Sequence, residues 1–225
     1  MGLLQDRSAA TPSTKGRHRF LRSLKPCNRW TKMKAWKCLR SGWARLLPGF
    51  GGLSLAMATV YSGCASVPSG IKPVTSFQPE KYLGCWYEVA RMDHSFERHL
   101  THVSATYTEL PGGRIEVVNR GYDTKAGRWK EIRGKAKPAG DPETGSLLVS
   151  FFPPFSAGYH VFALDRQDYQ WALVAGPNRK YLWVLSRRPS LSPSLKQKLY
   201  HLAAEAGYDT GSLISVPQTS SPGSD

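Results

Sequence analysis

The sequence predicts an all-β fold: an eight-stranded antiparallel up-and-down barrel with a C-terminal α-helix packed outside it. Three observations carry the prediction. Eight segments of alternating or β-rich residues recur between residues 86 and 187. Most of the breaks between them are a few residues long, whereas a parallel crossover needs a dozen or more. After the eighth segment the apolar period changes from that of a strand to that of a helix. Antiparallel strands in sequence order close naturally into a barrel, which removes exposed sheet edges.

The barrel opens on Gly84-Cys85-Trp86-Tyr87-Glu88-Val89-Ala90-Arg91. A glycine just before a tryptophan lets the backbone turn tightly into an extended run and swings the first large side chain under the sheet. The strands are read as 86–91, 103–110, 114–121, 129–137, 146–152, 159–165, 169–175 and 181–187. Pro111-Gly112-Gly113, Ala139-Gly140-Asp141-Pro142 and Gly176-Pro177-Asn178 supply turns between them. Gln78 to Tyr82 reads as a short turn of helix closing one barrel end. The C-terminal helix has Ser192 as its cap and Pro193 at its first position. Leu195, Leu199, Leu202 and Ala206 form its stripe, and Gly207 stops it.

Length and composition suit one domain with a core and a tail: 225 residues, 40% hydrophobic and 11% aromatic. A net charge of +15 would by itself suggest a nucleic-acid partner. Its distribution argues against one. Residues 1–63 hold 12 Lys and Arg against a single acid, Asp6, while residues 64–225 hold 19 against 15. The basic excess belongs to the leader, and no nucleic acid is expected on the folded part.

The leader reads as an export signal over residues 33–63. Lys34, Lys37, Arg40 and Arg45 precede an uncharged, mostly apolar stretch from Leu46 to Val60, and Ser62-Gly63-Cys64 follows. That stretch is interrupted by Pro48 and several glycines, a poor match to the roughly 20 apolar residues of a permanent span. Residues 1–32 form a basic extension, expected to be untranslated or disordered, with translation starting at Met33. Small-small-Cys after a signal resembles the bacterial lipoprotein box, which implies acylation of Cys64. Tyr61 stands where that box has an aliphatic residue, and ordinary cleavage nearby or an uncleaved anchor are the alternatives. Ala65 after the cysteine implies sorting to the outer membrane. Residues 64–77, rich in Pro, Ser and Gly, read as a tether; 78–215 as the domain; 216–225 as a disordered tail.

Three motifs carry a family resemblance. Gly84-Cys85-Trp86-Tyr87, Asp168-Tyr169 and Leu185-Ser186-Arg187 resemble the signature motifs of the lipocalins. The second is the loosest, since Gln167 stands where a threonine belongs. Phe96-Glu97-Arg98, Val149-Ser150-Phe151-Phe152 and Tyr181-Leu182-Trp183-Val184 are similar to the bacterial outer-membrane lipocalins related to apolipoprotein D. The resemblance implies that Gly84, Trp86, Asp168 and Arg187 are structural, with Arg187 packed over the Trp86 indole.

Strand alternation selects an interior lining: Val103, Ala105 and Tyr107; Val117 and Asn119; Ile132; Val149 and Phe151; Tyr159, Val161 and also Ala163; Trp183. Periodicity alone leaves open whether these residues fill the barrel or line a cavity. The resemblance implies a cavity holding a fatty acid or lysophospholipid, in a lipid-anchored protein of the bacterial outer membrane that faces the periplasm. Arg91, His94, Arg98, His99 and His102 lie on or near the loop after the first strand, where such a ligand's anionic head could be met; a solvated loop is the plainer reading of each. Pairing of two barrels is left open. No catalytic residue, metal site or cofactor is expected: there is no Gly-x-Ser-x-Gly elbow, no glycine-rich phosphate loop and no cysteine–histidine cluster with metal spacing. Cys85 is the one tempting nucleophile, but alternation turns it away from the interior. A lipid-modifying enzyme using the same cavity is the alternative reading.

Overall fold

A computed structural model describes residues 66–218; the readings made of residues 1–65, acylation of Cys64 among them, and of 219–225 lie outside it. A short helix, α1 (Pro79–Tyr82), leads into strands β1 (Gly84–Met92), β2 (Leu100–Leu110), β3 (Arg114–Asp123) and β4 (Arg128–Pro138). There follow β5 (Ser146–Phe152), β6 (Phe155–Leu164), β7 (Trp171–Ala175) and β8 (Leu182–Ser186), then α2 (Pro193–Glu205) and a ninth strand, β9 (Leu213–Ser215). Every pairing is antiparallel, β1 to β8 pair in sequence order, and β8 pairs back onto β1, closing the barrel. The predicted architecture holds.

Two of the strand starts that moved have a clear local reason. Residues 153–158 were left between strands, yet β5 and β6 pair up to Phe152 opposite Phe155, leaving Pro153 and Pro154 as a two-residue tip. β7 begins at Trp171 because Tyr169 sits at φ 54° in a tight turn, where its N–H donates to Asp165 O and the Asp165 carboxylate accepts from Gln170 N.

Register shifts redirect side chains that simple alternation misplaces. The shift at Val89 puts Glu88 opposite Leu185 and Arg91 opposite Trp183, so both face inward, while Ala90 joins the outer cluster. At Phe162 a second shift sends Ala163, expected inside, to the outer face; Leu164 takes the inner one. The outer cluster is where α2 docks: Leu199 and Ala203 are buried against Leu173, Ala175, Leu182 and Val184. Ser192 Oγ accepts from Leu195 N, as a helix cap should, and Gly207 at φ 82° ends the helix.

The flanking segments correct two expectations. Residues 66–77 are bound along the barrel wall: Val74 N donates to Val161 O, Gly145 N to Val74 O and Phe77 N to Glu143 O, with Ile71, Val74 and Phe77 buried. Composition alone suggested a free tether because Pro, Ser and Gly serve a bound strap equally well. Residues 216–218 are also ordered. β1 pairs β2 only from Gly84 to Tyr87; above that point β9 pairs β1 from Ala90 to Met92. Val216 N donates to Val89 O, His102 N to Pro217 O, and Gln218 Nε2 to both Glu88 O and Val103 O. The C-terminal residues thus satisfy a seam of backbone groups that β2 leaves unpaired, as buried backbone demands.

Candidate functional site: the barrel interior

The interior has three storeys, and the lowest is solid. Trp86 is fully buried, its Nε1 donating to Tyr82 O at 2.8 Å. The Arg187 guanidinium lies 3.9 Å from the indole centroid. It donates to Cys85 O at 2.8 Å, Lys81 O at 2.8 Å and Tyr169 O at 3.2 Å. A cation over an indole face contributes about 0.5–2 kcal/mol, and the three carbonyls use the guanidinium's fixed fork. Gly84, at φ 91°, passes so close that a Cβ there would sit 3.4 Å from Arg187 Nη1. Asp168 is exposed, and its backbone carbonyl accepts from Gln170 Nε2.

At mid-height three tyrosines meet. The Tyr159 hydroxyl is 2.7 Å from that of Tyr82 and 2.8 Å from that of Tyr107. Burial pushes all three phenols above their ordinary value, so the triad is a neutral, hydrogen-bonded platform. The eleven predicted lining residues other than Ala163 differ in exposure. Tyr107, Val117, Val149 and Val161 are buried in the core cluster, and Val103 is buried against Gly121. Ala105, Asn119, Ile132, Phe151, Tyr159 and Trp183 are half-buried, with Ala105 directly opposite Trp86.

Above the platform lies a charged cluster. Arg91 Nη1 donates to Glu88 Oε1 at 2.7 Å and Nη2 to the carbonyls of Glu97 and Leu100. Glu97 Oε2 accepts from Trp183 Nε1 at 3.1 Å and stands 3.2 Å from His94 Nε2. All four charged or titratable side chains are buried. Burial, then the nearby Glu97 charge, pushes Glu88 well above the usual carboxylate range. For Glu97, burial acts upward too, but its contacts with His94, Trp183 and Arg91 outweigh it and hold the group low. Stacked rings wall this level: His94 on Phe96 at 3.9 Å, and Tyr181 on Trp183 at 6.0 Å.

This changes the reading of the mouth. Arg91 and His94 were expected at the surface to meet an anion; both are inside and engaged with carboxylates. Arg98 is exposed and held by Asp93 through contacts of 2.7–3.3 Å. His99 is exposed, and His102 Nδ1 lies 3.0 Å from Thr101 Oγ1. Glu88 was missed, although its place two residues after Trp86 on one strand was a signal for an inward carboxylate. Four buried polar atoms have no hydrogen-bond partner among the described residues: Arg91 Nε, His94 Nδ1, His94 Nε2 and Asn119 Oδ1, although Arg91 Nε and His94 Nε2 lie within ion-pair reach of Glu97. Leaving such atoms unpaired costs about 1–3 kcal/mol each.

Residues 77–218 match the model of the lipocalin-like domain. The chain is a lipocalin. It is 47% identical over 161 residues to the outer membrane lipoprotein Blc of Vibrio cholerae, spanning 72% of this chain and 94% of that one. Its identity to the Escherichia coli K12 protein of the same name is 44% over 180 residues, spanning 80% and 99%. Mouse apolipoprotein D is 30% identical over 155 residues, covering 65% of this lipocalin and 80% of that protein. Insecticyanin of the tobacco hornworm shares the fold, with a TM-score of 0.55 and 19% identity over 67% of this lipocalin and 85% of that chain.

Among the described residues no group of three His, Cys, Asp or Glu side chains could hold a metal ion, and no helix is long and apolar enough to cross a membrane. Burial pushes the half-buried Cys85 thiol up, away from the thiolate that a nucleophile requires.

Proposed function

We propose that this lipocalin is a binding protein, not an enzyme, that takes one acyl chain of a fatty acid or lysophospholipid into the upper half of its barrel. The carrying observation is a contrast within the lining. Val117, Val149 and Val161 are buried, whereas the inward Ala105, Asn119, Ile132, Phe151, Tyr159 and Trp183 remain partly accessible, and four buried polar atoms lack a hydrogen-bond partner among the described residues. An acyl chain against that lining gains about 0.8 kcal/mol per buried methylene.

The cluster above the platform decides where the head goes. The one guanidinium there is already engaged by Glu88 and Glu97, so that depth offers an anionic head no free cation and the head stays at the mouth. The cellular setting follows from the relatives named outer membrane lipoprotein: Cys64 carries fatty chains that hold the protein on the outer membrane, where it faces the periplasm and stores or transports lipids. Two anchoring signals already hold stably. A single barrel provides the whole site, so pairing is not needed for binding.

Native mass spectrometry tests the reading. The soluble chain from residue 65, mixed with fatty acids and lysophospholipids of graded length, is expected to form one-to-one adducts that strengthen with chain length up to a limit. At equal length, changing the head should matter less than removing a few methylenes. Turnover of the ligand, or no adduct at any length, would contradict the proposal.

A further inference from the structure

The charged cluster of β1 and the loop after it holds more acceptors than donors. Glu88 and Glu97 are both buried. Among the described residues, only Arg91 and the His94 ring come within ion-pair distance of either carboxylate. Arg91 spends Nη1 on Glu88 Oε1 and Nη2 on two backbone carbonyls. Its Nε, 3.9 Å from Glu97 Oε2, makes no hydrogen bond there. With both acids ionised, the guanidinium balances one of them and the other is left uncompensated.

The His94 side chain is 5% exposed, and its Nε2 stands 3.2 Å from Glu97 Oε2. A carboxylate only accepts, so the neutral ring carries its proton on Nε2 and presents a lone pair at Nδ1. That Nδ1 has no donor among the described residues, and neither has Asn119 Oδ1. The missing partner is a positively charged donor. No three His, Cys, Asp or Glu side chains among the described residues are placed to hold a metal ion, which leaves an organic cation.

Aromatic rings stand around the same carboxylate. Trp183 donates its Nε1 to Glu97 Oε2 at 3.1 Å. The Phe96 ring, one residue from Glu97, lies 5.8 Å from the Tyr181 ring and 6.5 Å from that of Trp183. All three rings are half-buried, so each keeps part of its surface accessible. The electron-rich faces of such rings attract an organic cation within about 6 Å of a centroid, most strongly where water is excluded.

We propose that Phe96, Tyr181 and Trp183, together with Glu88 and Glu97, form a subsite for the ammonium head of a single-chain amine. The chain itself lies on the accessible lining residues, so the inference rests on the acyl-binding reading of the interior. A phosphate or carboxylate beside the ammonium would bring a further negative charge to two carboxylates, and the ligand is therefore an alkylamine without an anionic group. Burial and the Glu97 charge push Glu88 well above the usual carboxylate range; an arriving ammonium supplies the charge against which Glu88 releases its proton.

Native mass spectrometry of the full chain with dodecylamine, dodecanol and dodecanoic acid tests the subsite, because the three probes share a chain and differ only in the head. The amine is expected to bind at least tenfold more tightly than either of the others. Glu97→Gln and Phe96→Leu should each weaken amine binding severalfold and leave dodecanol binding unchanged, which shows that fold and cavity survive the substitution. If Glu97→Gln does not fold, Glu88→Gln removes the same charge and is read in the same way. Equal binding of the three probes, or an amine preference that survives these substitutions, would overturn the subsite while leaving the acyl cavity in place. Binding of none of the three would overturn cavity and subsite together.

Discussion

Replacing Trp86 by alanine is expected to destabilise the barrel by about 3–5 kcal/mol, the range for truncating a buried aromatic. The indole is fully buried among Tyr82, Tyr107 and Leu185 and is the face on which Arg187 lies. Removing it leaves a void at the closed end and strips the guanidinium of its packing surface, although the three carbonyl contacts remain. Urea unfolding followed by circular dichroism measures the change. A loss below about 1 kcal/mol would mean that Arg187 and the α1 turn close the barrel without the tryptophan.

Replacing Arg91 by methionine should cost a similar amount at neutral pH, for an electrostatic reason. Breaking a buried ion pair from one side typically costs about 3–5 kcal/mol because the other charge is left uncompensated. Here two carboxylates, Glu88 and Glu97, would be left. The pH dependence identifies the cause. In the wild type, Glu97 is held low, so its contribution is present above the usual carboxylate range and is lost as pH falls through the lowered value. Glu88, pushed up by burial, acts in the opposite sense: the native state keeps a proton that the unfolded chain releases, so stability falls as pH rises from the usual carboxylate range to the raised value. Without Arg91, Glu97 keeps His94 and Trp183, whereas Glu88 loses the partner that draws it down and is pushed further up. The variant should therefore be closest to wild type in acid and furthest from it at neutral pH, and adding Glu88→Gln should recover part of the loss. A deficit independent of pH would point to lost packing of the long Arg91 side chain instead.

How much of this was legible beforehand depended on scale. The eight strands, their antiparallel order and the capped helix follow from alternation, from turn residues and from Ser192-Pro193, all of which act locally. The staple of Trp86 by Arg187 joins residues a hundred positions apart and was readable only through the motifs that carry the family resemblance. What escaped reading was set by tertiary geometry. A one-residue register shift at Val89 turns Arg91 inward and another at Phe162 turns Ala163 outward, and neither shift leaves a composition signal. β9 is three residues long and exists because β1 parts from β2 near the mouth; no local pattern announces a strand whose reason is a distant seam. The strap looked like a linker because the residues that avoid regular structure in water are the same ones that follow a curved wall.

The division of the interior is the most consequential of these outcomes. Alternation grouped Val117 and Val161 with Ala105 and Trp183 as equals; the first two are buried and the last two remain partly accessible. On the proposed reading, a ligand competes for space with side chains added beside the accessible ones.

The most direct measurement is adduct occupancy for a palmitoyl lysophospholipid, read by native mass spectrometry on the wild type and on Ala105→Phe. Ala105 is a half-buried inward residue between Trp86 on one neighbouring strand and Asn119 on the other, so a phenyl ring there fills volume assigned to the acyl chain. The account predicts a one-to-one complex with the wild type and at least a tenfold loss of affinity in a variant that unfolds normally, corresponding to about 1.4 kcal/mol. Equal occupancy in the two proteins would contradict it, and would place the ligand somewhere other than the upper half of the barrel.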